Sequence, residues 1–563
     1  MLNRLFTAGL FLSVLLVAIG CGPGVTDNSP TSSLPPIEVA TEVKPPMQPL
    51  VEGVAGDTLM ACITSEPPHL NPQLSTQGAV GKYVGSFIFE NMIDLDNETL
   101  EFIPWLAERW EIADDNLTYT FYLNKAAKFS DGVPLTAHDV LFTFNVINDP
   151  KNDTANLRNY LNDIESVEVI DDHTVAFKMK RPYFRNLLVC GALDIIPKHI
   201  YEGGDFNEHP NNRNPVGSGP YTFESWNTGQ TITLVKNPDH WDNKGYVNKI
   251  QFKVITDENV AIQVLEKNEL DMLRMQPEQW VTRASTPEFE EKFYKFTPFS
   301  QIPGYVGHYR YIAWNMRKPQ FEDKRVRRAL TLLLDRQTML ETIWHGLGQV
   351  TSGSFSPRVP EYDPNIEPWP YDPMQAAKLL DEAGWIDADR DGVREKDGHK
   401  LEFELSFTAD VHEYVTMGNV YQEELERVGI KMTQRPLEWA TFQQRVHDRN
   451  FDACMLAWLL PIMPDPYQLW HSSQADTGSN YPGFIHDEAD KIMDAGRLEF
   501  DDEKRVEIYR KFHAILHEEQ PYTFLTTNPG LYAVDKRFKN VRVYDIGLDP
   551  EEWFVPVAAQ RYP

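Results

Sequence analysis

The sequence predicts an α/β fold divided into more than one lobe. The chain has 563 residues, 42% hydrophobic and 12% aromatic, which is enough to bury more than one core. A Gly/Pro cluster at Pro215–Pro220 precedes a predicted hairpin, whose strands Tyr221–Ser225 and Thr231–Lys236 flank the turn Asn227-Thr228-Gly229. Such a cluster suits a chain that leaves one lobe and turns sharply into the sheet of another.

The charge balance argues against nucleic acid as a partner. Lys and Arg number 53 and Asp and Glu 83, so the formal charge is 53 − 83 = −30. An acidic surface repels phosphate backbones, and no basic run overrides it. The charge favours solubility without identifying a ligand.

The N-terminus is predicted to be a targeting segment. Arg4 precedes the apolar run Leu5–Ile19, which has the length of a signal-peptide core and falls short of the roughly 20 residues that a membrane span needs. Val17–Cys21 resembles a lipobox, so we expect residues 1–21 to be a lipoprotein signal peptide and Cys21 to carry the lipid anchor. Residues 22–56 are rich in proline and predict an extended tether.

Three cysteines remain beyond Cys21. Cys62, Cys190 and Cys454 lie far apart, each in an apolar context, and form no CxxC pair. Buried free thiols are expected.

Several motifs together resemble one family. Gly217–Tyr221 is one of them, and Phe129–Val140 is a second, with a strand, an Asp-Gly turn and a helix that Thr136 and Asp139 cap. Asp323–Leu330 is a third. These motifs resemble the bacterial extracellular solute-binding proteins of family 5, the binding proteins of peptide-type ABC transporters. Ser130 stands where the family normally has His.

The resemblance implies a periplasmic-binding-protein-like fold (type II, cluster C). Two α/β lobes close about a hinge, and a small lobe is inserted. A peptide or similar solute is captured between the lobes of a monomer in the periplasm or at the cell exterior, and it passes to a membrane permease with ATPase subunits. The expected ranges are 57–106, 213–305 and 525–563 for lobe I, 107–212 for the inserted lobe II and 306–524 for lobe III.

The resemblance also implies the ligand-contacting residues. They are Thr76, Gln77 and Gly78 near the first strand, and Ala457, Trp458, Leu459, Ile462 and Asp465 in a later segment. Peptide binders of the family hold the ligand's α-amino group with an Asp between the Trp and the acid-Pro pair, where Ile462 stands here. An unpaired ammonium in a closed cleft is costly, so either another acid replaces it or the ligand is a nickel complex, haem, an opine or an oligosaccharide.

The segment after Asp323 predicts one long helix, Lys324–His345. Its apolar residues recur at helical spacing, and we expect Arg325, Arg327 and Arg328 to lie on its solvated face.

An acidic loop is a candidate calcium site. Asp387, Asp389 and Asp391 alternate before Gly392, a spacing suited to a hard cation, with Glu395 close behind. The twelfth position is Gly398 and not the Glu of an EF-hand. A structural calcium ion and a plain acidic turn therefore both stay as interpretations of this loop. No other cofactor is expected.

Two other classes of protein stay as alternatives. A secreted hydrolase finds weak support, because His412-Glu413 and His517-Glu518 lack the second His of zinc proteases and Asp476–Ser479 lacks a second copy. The chain is therefore not expected to be an enzyme. A purely structural lipoprotein would lack a ligand-sized cleft.

Overall fold

Large sheets organise the part of the chain that the structure describes. The structure is a computed structural model, which describes residues 50–74, 78–243, 245–298, 305–409 and 411–562. Within these ranges three sheets have seven, five and four strands. The predicted α/β class is confirmed. The predicted signal peptide, Cys21 and most of the tether lie outside the described residues.

The seven-stranded sheet is assembled from distant parts of the sequence. Thr58–Ile63 pairs in parallel with Lys249–Val254 and with Met272 of the strand on its other side, whereas the outer pairs are antiparallel. The predicted hairpin forms one edge. In sheet order the strands are Phe293–Phe296, Tyr532–Asp535, Met272–Arg274, Thr58–Ile63, Lys249–Val254, Thr231–Lys236 and Tyr221–Asn227.

The five-stranded sheet follows the first sheet in sequence. Its order is Lys431–Leu437, Glu402–Thr408, Ala453–Pro461, Tyr305–Trp314 and Tyr522–Phe524. The chain enters it after Phe296 and returns to the seven-stranded sheet between Phe524 and Tyr532. These two crossings lie near residues 306 and 525, where the family resemblance implies the hinges. The exact lobe boundaries stay a prediction.

The four-stranded sheet is antiparallel throughout. Its order is Ala107–Ile112, Thr118–Leu123, Thr174–Met179 and Ile164–Asp171. The capping box of the helix Ala137–Asn148 is confirmed, because the Thr136 amide donates to Asp139 Oδ2 at 2.9 Å.

Short strand pairs and helices complete the described chain. The pairs are Ile93–Leu95 with Phe102–Pro104, Gln349–Val350 with Thr526–Thr527, Glu395–Lys396 with His399–Lys400, and Val543–Tyr544 with Gly547–Leu548. The other helices are Gly78–Gly85, Ala155–Leu161, Asn186–Gly191, Lys198–Tyr201, Glu258–Glu266, Pro277–Thr282, Pro287–Lys292, Pro319–Glu322, Lys324–Leu332, Arg336–Ile343, Pro373–Glu382, His412–Arg427, Trp439–His447, Tyr467–Trp470, Asp487–Leu498 and Asp502–Glu519.

The predicted long helix from Lys324 to His345 is wrong. It is two helices, because Asp335 breaks the first and caps the second by accepting a hydrogen bond from the Thr338 amide at 3.0 Å. The placement of Arg327 is also corrected. Its side chain is only 1% exposed and donates to carbonyl oxygens of Phe321 and Glu519.

The end of the predicted tether joins the folded body. The amide of Val51 donates to Asn540 Oδ1 at 3.2 Å, and the amide of Gly56 donates to the Tyr246 carbonyl at 2.9 Å. Residues 50–56 are therefore not free spacer. The predicted free thiols are confirmed, with Cys190 and Cys454 buried and Cys62 partly so.

The Gly/Pro cluster joins two sheets. The Gly217 carbonyl accepts from the Ser130 amide beside the four-stranded sheet, and the Gly219 amide donates to the Ile88 carbonyl at 2.8 Å. A Cβ at Gly217 would overlap that Ile88 carbonyl oxygen. The glycine is required by this close approach of two backbones.

Replacing Gly217 with alanine is expected to destabilise the protein by about 1–3 kcal/mol, because backbone must shift to admit the methyl group. Chemical denaturation measures the loss. Ser218→Ala is the matched control, since the buried Ser218 hydroxyl has no hydrogen-bond partner among the described residues and its removal is expected to be nearly neutral. Equal stability of Gly217→Ala and the control would contradict this account.

Candidate functional site

A cavity lies between the seven-stranded and five-stranded sheets, beside one of the two crossings. One wall is the end of the strand Met272–Arg274 and the start of the next helix. The opposite wall comes from the strand Tyr305–Trp314 and the helix after Glu402–Thr408. The lining residues are Arg274, Met275, Gln276, Pro277, His308, Arg310, Trp344, Glu413, Asn528, Pro529 and Leu531.

Two of the predicted ligand residues share a sheet face with this cavity. Ala457 pairs with Arg310 and Leu459 with His308 across the antiparallel strands, so all four side chains lie on one side of the sheet. Leu459 is 45% exposed despite being apolar. This face is therefore open where the cavity begins.

Trp458 lies on the opposite face of the same strand. Its ring stacks with Tyr311 and Tyr481 at centroid distances of 6.4 and 6.0 Å, and its Nε1 donates to the Tyr522 hydroxyl at 3.4 Å. Ile462 packs against the same aromatic core. The ligand contact of Trp458 stays a prediction; strand alternation turns its side chain away from Ala457 and Leu459 and packs it against the aromatic core.

Asp465 is already occupied by other side chains. Its carboxylate, 4% exposed, accepts from Arg497 at 2.8 Å and from the Tyr183 hydroxyl at 2.6 Å. Burial alone would lower the pKa of Arg497, but attraction to Asp465 outweighs it and raises that pKa. The ligand contact of Asp465 stays a prediction, although its carboxylate already pairs with Arg497 and Tyr183. The cluster of Asp465, Arg497 and Tyr183 joins the segment after the four-stranded sheet to the loop after Ala453–Pro461.

The first predicted ligand segment is only partly described. Thr76 and Gln77 lie outside the described residues, and Gly78 begins the helix Gly78–Gly85. Their contact with ligand stays a prediction.

The charged residues that line the cavity were not predicted from the sequence. Arg274 and Arg310 face a single lining carboxylate, Glu413. Burial and the two arginines lower the pKa of His308 to about 3, so its imidazole is neutral at pH 7. The signal was available, because His308 and Arg310 alternate with buried residues in the strand Tyr305–Trp314 and so share one face.

Three of the four predicted metal ligands come together. Carboxylate oxygens of Asp387, Asp389 and Glu395 lie within 4.8 Å of one another. Asp391 instead forms an ion pair with Lys400. The charge of Asp391 is thus compensated by the protein itself.

A Ser–His contact elsewhere does not form a nucleophile. Ser352 Oγ lies 3.1 Å from His513 Nε2, while His513 Nδ1 accepts a hydrogen bond from the Asp363 amide. The imidazole proton therefore sits on Nε2, and this nitrogen donates to Ser352 and cannot remove its proton. Burial lowers the pKa of His513 to about 4, which keeps it neutral. The pair is a core contact.

Known proteins match nearly all of the described chain. Oligopeptide-binding protein AppA of Bacillus subtilis is 32% identical, with 84% of this chain and 86% of AppA aligned. The solved structure of B. subtilis AppA in complex with a nonapeptide superposes with a TM-score of 0.76 at 29% identity, over 90% of this chain and all of that one. NikZ of Campylobacter jejuni in complex with Ni(L-His) gives a TM-score of 0.74 at 25% identity, covering 88% and 99% of the two chains.

The family assignment rests on the whole match. In the described ranges no helix is long and apolar enough to cross a membrane. Residues 101–481 match the profile of the bacterial extracellular solute-binding proteins, family 5. The motifs quoted from the sequence, the three-sheet architecture and the relatives agree, and the chain belongs to this family of extracellular solute-binding proteins.

Proposed function

We propose that the protein captures peptides in the cleft between its two larger sheets and delivers them to a membrane permease driven by ATPase subunits. The observation that carries this is the 32% identity to an oligopeptide-binding protein over 84% of the chain. The cavity between the sheets, about 60 Å³, has room for one small group of such a ligand. Backbone hydrogen bonds to an extended ligand would give affinity with broad specificity, and contacts to both walls would favour the closed state.

A non-peptide solute is the second candidate. The segment from Leu459 to Pro464 has no acid, and the neighbouring Asp465 is paired with Arg497. A free amino group would therefore need another partner. NikZ, which binds Ni(L-His), has the same fold.

Titration calorimetry on the purified protein separates the candidates. Alanine-based peptides of two to nine residues are titrated beside Ni(L-His) and a neutral oligosaccharide. Micromolar or tighter binding of peptides only supports the first candidate. Binding of a non-peptide solute alone would replace it with the second.

The anchor and location are part of the proposal. Cys21 carries the lipid, and the protein works as a monomer on the outer side of a membrane. Cys21→Ala is expected to move the protein from the membrane fraction to the soluble fraction.

A structural calcium ion at Asp387, Asp389 and Glu395 remains a proposal. Within the part of the chain that the structure describes, Asp387 Oδ1 and Glu395 Oε2 are buried without a hydrogen-bond partner, which favours a bound cation. Calcium is expected to raise the melting temperature of the wild type, and Asp387→Asn to abolish the increase. The protein itself is proposed to have no catalytic role.

A further inference from the structure

Four large apolar side chains are exposed where the described chain begins. Leu50 is 46% exposed, Val51 57% and Val54 43%, and Val557 near the C-terminus is 69% exposed. Single exposed apolar residues are common on soluble proteins, but a group of them in one place marks a surface that binds something. These four come from segments about 500 residues apart in the sequence.

Hydrogen bonds and packing join these segments into one surface. Asn540 Nδ2 donates to the Val51 carbonyl at 2.9 Å. The side chain of Gln560 lies against Gly56, and the Gln560 amide donates to the Val557 carbonyl at 3.4 Å. We call this surface the entry patch; it comprises residues 50–56, 539–540 and 554–561.

The entry patch differs in charge from the chain as a whole. Its charged residues are Glu52, Lys539 and Arg561, so its formal charge is 2 − 1 = +1, whereas the whole chain carries −30. At physiological ionic strength charges are screened over about 8 Å, so the local charges decide how a surface approaches a charged partner. The entry patch therefore does not share the general repulsion of this protein from anionic surfaces.

The entry patch and the cavity lie at opposite ends of the seven-stranded sheet. The strand Thr58–Ile63 starts beside the patch, since residues 50–56 lead directly into it. Met272 pairs with Ala61 in parallel, which brings Arg274, a residue of the cavity wall, level with the far end of that strand. A strand of this length spans about 20 Å. A partner that covers the patch thus leaves the cavity on the other side.

A protein partner and a membrane surface are the competing occupants of the entry patch. Leu50 is the first described residue after Cys21, so the patch is the part of the folded body closest along the chain to the proposed lipid anchor. The anchor favours the membrane, because it keeps the patch close to a bilayer at all times. Exposed aliphatic side chains beside basic residues also suit the headgroup layer of a membrane.

We infer that the entry patch rests on the membrane that holds the anchor, with Leu50, Val51, Val54 and Val557 entering the headgroup layer. The inference rests on the proposed anchor at Cys21. Because the cavity lies at the other end of the sheet, this contact turns the cavity toward the medium from which solute is captured. Transfer of the solute to a permease then requires the patch to leave the membrane.

Fluorescence quenching on the full lipidated chain tests this contact. The protein is reconstituted into vesicles of phosphatidylcholine and phosphatidylglycerol that contain a lipid with a spin-labelled headgroup, and a fluorophore is attached at Val557→Cys. Met374→Cys is the matched control, at a site that is 84% exposed in the helix Pro373–Glu382. Quenching at position 557 is expected to be at least about threefold stronger than at position 374. The signal of the native thiols is measured on the unsubstituted protein and subtracted.

Variants of the entry patch separate membrane contact from anchoring. Leu50→Asp combined with Val54→Asp is expected to reduce the quenching at position 557 to the level at position 374, whereas Ile485→Asp, at another exposed apolar site, should leave it unchanged. Equal quenching at both positions on vesicle-bound protein overturns the inference, keeps the anchor and leaves a protein as the occupant of the patch. Quenching that survives the double substitution also overturns it. Failure of the wild type to float with vesicles overturns the anchor and the inference together.

Discussion

Arg537→Met is expected to lower the free energy of unfolding by about 3–5 kcal/mol, because it leaves the buried Asp57 without a counter-charge and the buried Asp271 with only the longer contact to Arg561 at 3.5 Å. Arg537 donates to Asp271 at 2.7 and 2.9 Å, to the Thr58 carbonyl at 2.7 Å, and to Asp57. Burial raises the pKa of Asp271, and Arg537 opposes that rise. The cluster ties the first strand of the seven-stranded sheet to the C-terminal segment.

Urea denaturation followed by circular dichroism measures this loss. Arg325→Met is the control, since Arg325 pairs with Asp323 at the surface and such pairs contribute less than about 1 kcal/mol. A loss of stability no larger than the control's would show that the buried cluster does not hold the first strand of the seven-stranded sheet and the C-terminal segment together.

Asp465→Asn is expected to cost about 3 kcal/mol of stability while leaving ligand affinity within about threefold of the wild type. The amide keeps the shape of the side chain but removes the negative charge that compensates Arg497. In the wild type, the same carboxylate also accepts a hydrogen bond from the Tyr183 hydroxyl. The guanidinium carbon of Arg497 also lies 4.6 Å from the centre of the Tyr183 ring and 3.9 Å from that of the Tyr467 ring. These rings enclose the charge that the substitution leaves unpaired. The cost is therefore in folding and not in binding.

Melting temperature and calorimetric affinity are measured on the same preparation. Asp476→Asn is the control, an acid 94% exposed in a nearby loop that is expected to change neither quantity. Unchanged stability with lost affinity would place Asp465 in the ligand site and contradict the packing described here.

Local features of the fold followed from the sequence. The hairpin after the Gly/Pro cluster and the capping box at Thr136 each depend on a few neighbouring residues, and the structure has both. The break at Asp335 was missed because the apolar spacing continues through it, although an Asp is a common cap. The burial of Arg327 was missed because its partners at Glu519 lie about 190 residues away.

The candidate site was harder to predict for the same reason. Family resemblance located the strand with Ala457 and Leu459, but alternation alone decides that Trp458 faces the other way. The pairing of Asp465 with Arg497 and Tyr183 depends on segments brought together only by folding. Arg274 and Arg310 line the same cavity from two different sheets, so no local sequence pattern could predict that they lie close together.

Native mass spectrometry of the protein purified without refolding tests the central claim most directly. We expect bound species whose masses, after release and fragmentation, correspond to peptides. A ligand-free mass together with no change in melting temperature on addition of peptide mixtures would contradict peptide capture.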